Sequence, residues 1–416
     1  MRVLHLYNTF GLLTERVMLQ MPLALAGRGH QIIGACERLA DNAPAVTWPM
    51  HRLDRVLVDA TDDIDGQMRR VSEKTDDAAL ARLLDEPIDL VHGHFGPRIL
   101  HALRFLRRDV PVVISLYGYD ISRLTRDPAW PRRYRWAAEH GAIFVVLTQS
   151  ARQRLLGFGV PEDAIRVIHL GVMLPDWPYH GDAAPLPGAG KFVFIGRFTH
   201  KKAPQDIITA MARLRDAGID ATIDLVGGGE LEADLHEQVA AMDLDDRVQF
   251  RGYVKPEQLI DTLRHATAFV LPSAEAPDGD MEGMPLILMQ AAAMGLPCIT
   301  TRHAGNPEVI PPAGQRFVVP VHDPAALADA MAAMIRLDPG ERETLQRAGR
   351  QWIEQRFDFE KTVTAYDDLY HELTATAPAI PGVGGRIKRA APFGAALGHE
   401  QSAGDRSRTY TGFYSH

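Results

Sequence analysis

Residues 175–190 read Pro-Asp-Trp-Pro-Tyr-His-Gly-Asp-Ala-Ala-Pro-Leu-Pro-Gly-Ala-Gly and divide the chain into two halves. Four prolines and three glycines in this stretch interrupt every apolar period, which is typical of a linker between domains. On its N-terminal side, short apolar runs predict strands at Arg2–Tyr7, Gln31–Ala35, Leu90–His92, Val112–Ser115, Ala142–Leu147 and Arg166–Ile168. On its C-terminal side, a second series is predicted at Phe192–Ile195, Ala221–Val226, Val248–Arg251, Ala268–Leu271, Pro297–Thr300 and Phe317–Val319.

Both halves show the pattern of parallel α/β units, in which short apolar strands alternate with longer amphipathic helices. Strands that are apolar along nearly their whole length are buried on both faces, so helices should cover both sides of each sheet. We therefore predict an α/β protein with two facing, doubly wound domains and a cleft between them. The expected boundaries are 1–174 for the first domain, 175–190 for the linker, 191–356 for the second domain, 357–373 for a final helix and 374–416 for a disordered tail.

Composition excludes several classes of protein. The 416 residues, 46% of them hydrophobic, are enough for two cores, and 45 Lys plus Arg against 53 Asp plus Glu give a net charge of −8. Without a basic excess to neutralise phosphates, we expect no nucleic-acid partner. Two cysteines, Cys36 and Cys298, are too few for a disulfide framework or a zinc site. The longest apolar runs are far shorter than a membrane span. Together these exclusions predict a soluble, two-domain protein of a reducing compartment, the cytoplasm, and we expect it to be an enzyme.

Basic residues and glycines follow the first two strands of the second half. Ligands of open parallel sheets bind beyond the carboxyl ends of the strands, which makes these loops the first places to look for a site. Arg197 and Lys202 lie in Gly196-Arg197-Phe198-Thr199-His200-Lys201-Lys202 and could hold a diphosphate, with the guanidinium as a fork and the ammonium as a point charge. Gly227 opens a glycine turn, Gly227-Gly228-Gly229, that allows close backbone approach to an anion.

A third loop, after the strand Ala268–Leu271, carries an acid just before a predicted helix. It contains Glu282-Gly283-Met284-Pro285-Leu286-Ile287-Leu288-Met289-Gln290. Pro285 is predicted at the first helical position, which places Glu282 beside the free amides of the helix N-terminus. Gln290 is expected on the same helix near the cleft. An acid, an amide side chain and exposed backbone amides should therefore converge with Arg197 and Lys202.

These three motifs resemble the donor half of the retaining family 4 glycosyltransferases, which have the GT-B fold of two Rossmann-like domains. The resemblance extends over about residues 1–373 and includes segments similar to the exopolysaccharide and lipopolysaccharide branch: Val91-His92-Gly93-His94-Phe95-Gly96, Tyr117-Gly118-Tyr119-Asp120-Ile121-Ser122 and Ala276-Pro277-Asp278-Gly279-Asp280. It implies a first domain that binds the acceptor, a second that binds the donor, and a final helix that crosses back to the first.

The resemblance also implies roles for single residues. Arg197 and Lys202 would hold the donor diphosphate, and Glu282 would bind hydroxyls of the donor sugar. Backbone groups complete the site: amides of Gly283, Met284, Leu286 and Ile287 would meet phosphates and sugar, Val254 the base, and Gly11, in the turn Phe10-Gly11-Leu12, the donor phosphates. The donor, UDP- or GDP-linked, is a substrate, so no resident cofactor and no metal are expected.

Two positions depart from the family pattern. The pattern has a second Glu where this chain has Gln290, whose amide can still bond a ribose hydroxyl. It has His-Gly-Tyr-Asp where this chain has Tyr117 in place of the histidine that contacts the donor sugar. Tyrosine is longer and stays uncharged at neutral pH, so either the pocket is reshaped for another donor or catalysis is impaired. The second alternative is a relative that binds nucleotide sugar or glycan as an assembly module.

Other residues leave two interpretations open. Asp120 is either an acceptor-side catalytic group or a turn carboxylate that caps local amides. The basic and aromatic segment Arg123 to Trp136 suits an anionic, lipid-linked acceptor at the inner membrane surface, or is a solvated helix face with packed aromatics. Asp278-Gly279-Asp280 resembles a metal-binding motif, but in this fold basic residues meet the donor charge. No carboxylate nucleophile is evident, so we predict retention by a front-face substitution in which the leaving phosphate takes the acceptor proton.

Overall fold

A computed structural model describes residues 1–11, 16–41, 43–56, 63–73, 77–106, 109–181 and 190–376. Half of the expected linker, 182–189, most of the expected tail, 377–416, and Leu12 of the first glycine turn lie outside the described residues. The described residues of both halves belong to one compact unit, Met1–Ala377.

The first half is built on a parallel sheet of seven described strands. The strands are β1 Arg2–Phe10, β2 Gln31–Leu39, β3 Met50–Arg52, β4 Leu90–His94, β5 Val112–Leu116, β6 Ala142–Val146 and β7 Ile165–Val167, in the order β3-β2-β1-β4-β5-β6-β7. The helices are α1 Arg16–Gly27, α2 Ile64–Glu73, α3 Ala78–Asp85, α4 Ile99–Leu106, α5 Ala129–Glu139 and α6 Gln149–Gly157. The strand order reverses between β1 and β4, which opens a crevice at their carboxyl ends.

The second half repeats this architecture with six described strands. They are β8 Gly190–Ile195, β9 Ala221–Val226, β10 Val248–Gly252, β11 Ala268–Leu271, β12 Cys298–Thr301 and β13 Val318–Val319, in the order β10-β9-β8-β11-β12-β13. The helices are α7 Pro204–Asp216, α8 Glu232–Ala241, α9 Pro256–Arg264, α10 Leu286–Ala293, α11 Asn306–Val309, α12 Pro324–Ile335 and α13 Pro339–Arg356. Here the order reverses between β8 and β11, so the loops of Arg197 and Glu282 flank the crevice.

The last helix, α14 Phe359–Thr376, packs against the first sheet. Its Tyr366 and Tyr370 are buried in one cluster with Val3 of β1 and Val113 of β5. On its outer side, Asp367 pairs with Arg28 at 3.4 Å and with His30 at 2.8 Å. The chain thus returns from the second half to cover one face of the first.

The prediction of two doubly wound α/β domains is confirmed, with differences at element ends. Strand β1 continues to Phe10 because Tyr7, Thr9 and Phe10 are buried or paired with β2. Pro285 was expected as the first helical residue, and this is wrong. Its ψ of 111° is extended and its carbonyl accepts the amide of Leu288, so it is the N-cap and the helix begins at Leu286. No helix of the described chain is long and apolar enough to cross a bilayer.

Candidate active site

One loop of each half meets the other at a pair of glycines. Gly118 follows β5 with a φ of +138°, and a Cβ built on it would lie 2.8 Å from the amide nitrogen of Gly283. A Cβ on Gly283 would in turn lie 1.8 Å from the carbonyl oxygen of Tyr117. Backbone therefore meets backbone between the halves, and the absence of both side chains permits the approach.

Glu282 and Lys202 form an ion pair at the second crevice. Lys202 Nζ lies 2.8 Å from Glu282 Oε1, and the side chains are only 13% and 8% exposed. Burial by itself would raise the pKa of Glu282, but the neighbouring ammonium groups of Lys202 and Lys201 outweigh it, so the pKa is lowered and the group is an anion. The amide of Glu282 donates to His303 Nε2 at 3.3 Å, which fixes the acid from the side of β12. The two side chains converge as the sequence predicted, but as a direct ion pair, which the sequence did not predict.

Lys201, which sequence reasoning did not single out, makes a second ion pair. Its Nζ lies 2.8 Å from Asp280 Oδ2. Both lysines belong to a short 3₁₀ turn, His200–Lys202, which ends at Ala203 in the left-handed region (φ 46°). Arg197, at the start of the same loop, is partly exposed and makes no ion pair with any described residue. Three cations thus line one edge of the crevice, with Arg197 open to an anion.

The glycines expected to approach the donor serve backbone contacts within the protein. Gly227 has a φ of +132°, and a Cβ there would lie 2.0 Å from the carbonyl oxygen of Gly196. Gly11 has a φ of +92°, and its Cβ would lie 2.5 Å from Ala43 Cα. Close packing of the chain requires glycine at both positions. Both loops lie at the carboxyl edge of a sheet.

The remaining expected donor residues lie along α10 and the loop after β10. Met284 is buried in the core of the second half, whereas Leu286 and Ile287 are only partly buried in the first turn of α10. Their early positions leave their amides without carbonyl partners one turn back. Gln290 is partly buried about one turn from the helix start, and Val254 packs against the same core.

Asp120 is completely buried and caps one local amide, as in the turn interpretation, and one amide of a different loop. Its Oδ1 accepts the amide of Gly96 at 3.0 Å and its Oδ2 accepts the amide of Tyr117 at 2.9 Å. Tyr134 donates its hydroxyl to the Asp120 carbonyl at 2.9 Å. Burial raises the pKa of this carboxyl from 3.8 to about 7. With both oxygens engaged and no exposed surface, the carboxyl holds the loops after β4 and β5 together.

Both carboxylates of Asp278-Gly279-Asp280 are paired with cations, and the Asp280 amide also donates to Asp278 Oδ1 at 3.0 Å. Asp278 lies 3.0 Å from Arg123 of the first half, and Asp280 is the partner of Lys201. Arg126 adds a hydrogen bond to the Pro277 carbonyl at 2.9 Å. The motif therefore connects the halves across the cleft.

Sequence reasoning also missed a contact made by Glu308. Its Oε1 accepts the amide of Gln149 at 2.9 Å, at the N-terminus of α6 in the other half. A carboxylate is favoured there because the first amides of a helix lack intrahelical partners. No signal in the local sequence marks this contact, because its two partners are 159 residues apart.

The basic and aromatic segment is mostly packed. Arg133 is 4% exposed, donates to Gln67 at 2.9 Å and lies over the Trp130 ring at 4.7 Å. Trp130, Tyr134 and Trp136 are buried. Arg135 is exposed and pairs only loosely with Glu139, so the solvated side of α5 is narrow.

Comparison with known proteins assigns the chain to a family. Residues 14–174 match the family model described as Glycosyltransferase Family 4, and residues 183–352 match the one described as Glycosyl transferases group 1. The chain is 29% identical over 276 residues to the putative colanic acid biosynthesis glycosyltransferase WcaL of Escherichia coli K12, covering 65% of this chain and 67% of that protein. It is 30% identical over 275 residues to the amylovoran biosynthesis glycosyltransferase AmsK of Erwinia amylovora, covering 65% and 66%.

Solved structures resemble the fold. A sucrose-phosphate synthase of Thermosynechococcus elongatus superposes with a TM-score of 0.70 at 19% identity, over 90% of this chain and 99% of that one. Anabaena HepE in complex with UDP superposes with a TM-score of 0.68 at 16% identity, over 89% and 100%. With a family model matched in each half and two doubly wound domains joined as in these structures, the chain belongs to the family 4 glycosyltransferases of GT-B fold.

Proposed function

We propose that the protein transfers a sugar, with retention of configuration, from a nucleoside-diphosphate donor to a glycan or lipid-linked glycan in the assembly of a cell-surface polysaccharide. The observation that carries the proposal is the Lys202–Glu282 ion pair at the β8–β11 crevice, beside Arg197. The two relatives named above are glycosyltransferases of colanic acid and amylovoran biosynthesis, which supports the polysaccharide assignment.

Donor binding would exchange the partners of the lysine. The diphosphate brings negative charge to Arg197 and Lys202, and as Lys202 turns to it, Glu282 is released to accept hydroxyls of the donor sugar. In the free protein, the ion pair therefore keeps both side chains at the position where the donor would bind. Backbone amides of Gly283, Leu286 and Ile287 would donate to oxygens of the phosphates and the sugar. Val254 would meet the base, and Gln290 would bond the ribose. Fixed cations and amides stabilise the charge that develops on the leaving diphosphate without reorganising.

The acceptor would enter from the first half. Asp120 is unsuited to proton transfer because both its oxygens are bonded to buried amides. A front-face substitution needs no protein base, since the leaving phosphate oxygen can take the acceptor proton as the new glycosidic bond forms. No resident cofactor is required for these steps, and the cations supply the charge stabilisation that a metal ion would otherwise give.

Peripheral contact with the inner membrane surface would suit a lipid-linked acceptor. Because Arg133 is buried, the exposed residue Arg135 and the half-exposed residue Arg132 are the cations of α5 that could meet anionic lipid.

Release of nucleoside diphosphate from a panel of UDP- and GDP-sugars, with glycan and lipid extracts as acceptors, tests the proposal. We expect release for one donor class, and a loss of well over tenfold in Lys202→Ala and Glu282→Ala because both groups act on the donor. Lys191→Ala is the matched control, since Lys191 is an exposed lysine of the same half. Tight donor binding without release for any donor would favour the assembly module, and full activity of both variants would show that the site lies elsewhere.

A further inference from the structure

Three histidines line one buried face of the first sheet, beneath the cleft. His5 lies on β1, His92 and His94 lie on β4, and none of them is exposed. His92 and His94 share a face because side chains alternate along a strand, and His5 stands opposite His92 in the register of β1 and β4. The face is the one that α14 covers, since Tyr366 and Tyr370 contact the His92 ring. The transfer mechanism described above does not use this cluster.

The cluster connects by hydrogen bonds to the residue that departs from the family pattern. His5 Nδ1 lies 3.0 Å from His94 Nε2, and His94 Nδ1 lies 2.7 Å from the Tyr117 hydroxyl. Burial lowers the pKa of His94 well below its ordinary value and lowers that of His5 to about 3. Both rings are therefore neutral, and a neutral imidazole donates with one nitrogen and accepts with the other. His94 meets this requirement with His5 on one side and Tyr117 on the other.

A second branch ties the same network to the last helix. His92 lies 2.7 Å from the Ser115 hydroxyl and 2.5 Å from that of Tyr370, and the Ser115 hydroxyl lies 2.9 Å from that of Tyr366. These bonds give the polar groups of β4 and β5 partners under α14. The strands beneath Tyr117 are therefore tied to the last helix by hydrogen bonds.

The cluster does not suit a metal ion, although nitrogen atoms of its three rings approach one another. The His92 and His94 rings are stacked with centroids 4.3 Å apart and planes at 26°, and the His5 and His94 rings are stacked at 5.3 Å and 17°. Both nitrogens of His94 already have partners in His5 and Tyr117, and both nitrogens of His92 have partners in Tyr370 and Ser115. A metal ion would have to displace these bonds, so hydrogen bonding is the role that the contacts support.

Tyr117 connects the histidine cluster to the cleft. Its ring packs beside Phe95 at 5.0 Å and against the core of the second half, and its carbonyl oxygen faces Gly283, the neighbour of Glu282. A tyrosine is longer than the histidine of the family pattern, so a ring that turned toward the cleft would occupy space beside Glu282. The bond to His94 draws the phenol hydroxyl into the sheet instead.

We propose that His94 is a positioning residue for Tyr117, and that the chain His5–His94–Tyr117 keeps the tyrosine ring out of the space that the donor sugar takes. His94 touches no substrate and acts only through Tyr117. The inference rests on the proposed function for its effect on transfer, but the orientation of Tyr117 is measurable without any donor.

Two substitutions of His94 separate its two bonds. An asparagine amide reaches the position of Nδ1 and keeps a partner for Tyr117, whereas a glutamine amide reaches the position of Nε2 and keeps only the bond to His5. We expect His94→Gln to lower kcat at least tenfold with little change in the affinity for UDP or GDP measured by calorimetry. His94→Asn should keep kcat within about threefold of the wild type, which corresponds to about 0.65 kcal/mol, because it keeps a partner for the Tyr117 hydroxyl. Equal losses in the two variants would overturn the proposal.

A double-mutant cycle checks that His94 acts through the tyrosine. Tyr117→Phe removes the same hydrogen bond, so adding His94→Gln to it should cost no further activity, because two changes to one interaction are not additive. Additive losses would contradict the proposal. His101→Gln is the matched control for general loss of stability: His101 is equally buried, but its Nε2 bonds the Asp54 carbonyl at 2.9 Å, away from this network.

Fluorine NMR of protein labelled with 3-fluorotyrosine reads the tyrosine directly. The Tyr117 resonance is assigned by its loss in Tyr117→Phe. We expect one sharp resonance in the wild type and in His94→Asn, and a shifted or broadened one in His94→Gln, where the ring is released. An unchanged resonance in His94→Gln would overturn the positioning role. A wild type that binds neither UDP nor GDP and transfers no sugar would instead contradict the proposed function, and the NMR result would still decide the role of His94.

Discussion

The carbonyl oxygen of Tyr117 lies where a side chain on Gly283 would begin: a Cβ built on that glycine would be 1.8 Å away. The contact joins the loop after β5 to the loop before α10, so it sets how closely the two halves approach beside Glu282. Both partners are backbone, and neither can move without moving its loop.

Gly283→Ala should therefore lower kcat/KM at least tenfold while leaving the fold intact, because the added methyl group separates the loops at the reacting centre. Gly157→Ala is a matched control, since no atom lies within 4 Å of a Cβ at that position. Steady-state kinetics and thermal unfolding of both variants give the comparison. Wild-type kinetics in Gly283→Ala would mean that the loops separate during turnover and that this contact does not position the donor.

The ion pair between Arg123 and Asp278 connects the halves at the rim of the cleft, with side chains 24% and 40% exposed. Exposed pairs contribute about 0–1 kcal/mol, and salt screens them. A double-mutant cycle of unfolding free energies with Arg123→Ala and Asp278→Ala should give a coupling free energy of under about 1 kcal/mol at low salt. Repeating it near 1 M salt should abolish the coupling, and a coupling that persisted there would show that the pair is stronger than its exposure suggests.

Asp120 makes stability depend on pH. Its carboxyl has a pKa of about 7 in the folded protein against an ordinary 3.8, so the folded state binds its proton more tightly than the unfolded state. The stability that it contributes is fully present below pH 3.8 and is lost as the pH rises through about 7. Asp120→Asn removes this titration.

The difference in unfolding free energy between the wild type and Asp120→Asn, measured by denaturant titration across this pH range, should fall as the pH rises. A difference that stayed constant would show that the carboxyl remains ionised throughout. The two amide bonds to its oxygens favour the ionised form, so this outcome would mean that they outweigh burial.

Two arginines of α5 should contribute differently to the free energy of unfolding. Arg133→Ala removes a buried hydrogen bond to Gln67 and the contact with Trp130, so we expect a loss of roughly 2–3 kcal/mol in unfolding free energy. Arg135→Ala, at an exposed position, should change it by under about 0.5 kcal/mol.

Sedimentation with vesicles that contain anionic lipid then tests the membrane contact. Arg135→Ala, combined with Arg132→Ala, should weaken vesicle binding while leaving stability nearly unchanged. If the double variant binds vesicles as the wild type does, α5 is not the membrane-facing surface.

Apolar periodicity and the position of turns predicted the elements well. The alternation of apolar strands and amphipathic helices predicted both sheets. A strand that is buried on both faces is a continuous apolar run, which can be recognised in the local sequence. Element ends were less accurate: Pro285 has the residue type of a first helical position, but its ψ of 111° makes it the N-cap. Propensity reports which residues tolerate a position, whereas the tertiary contacts of the loop select the dihedral angle.

The sequence by itself determined the two doubly wound halves, the cations after β8 and the acid before α10. Each of these features depends on residues that are close together along the chain. Only the tertiary structure decided how these groups are paired. Lys202 bonds Glu282, Asp278 bonds Arg123, and Tyr117 turns its hydroxyl to His94. Partners of this kind lie far apart along the chain, so their pairing depends on how strands and loops are brought together at the sheet edges, and on the cost of leaving a buried charge or hydroxyl without a partner.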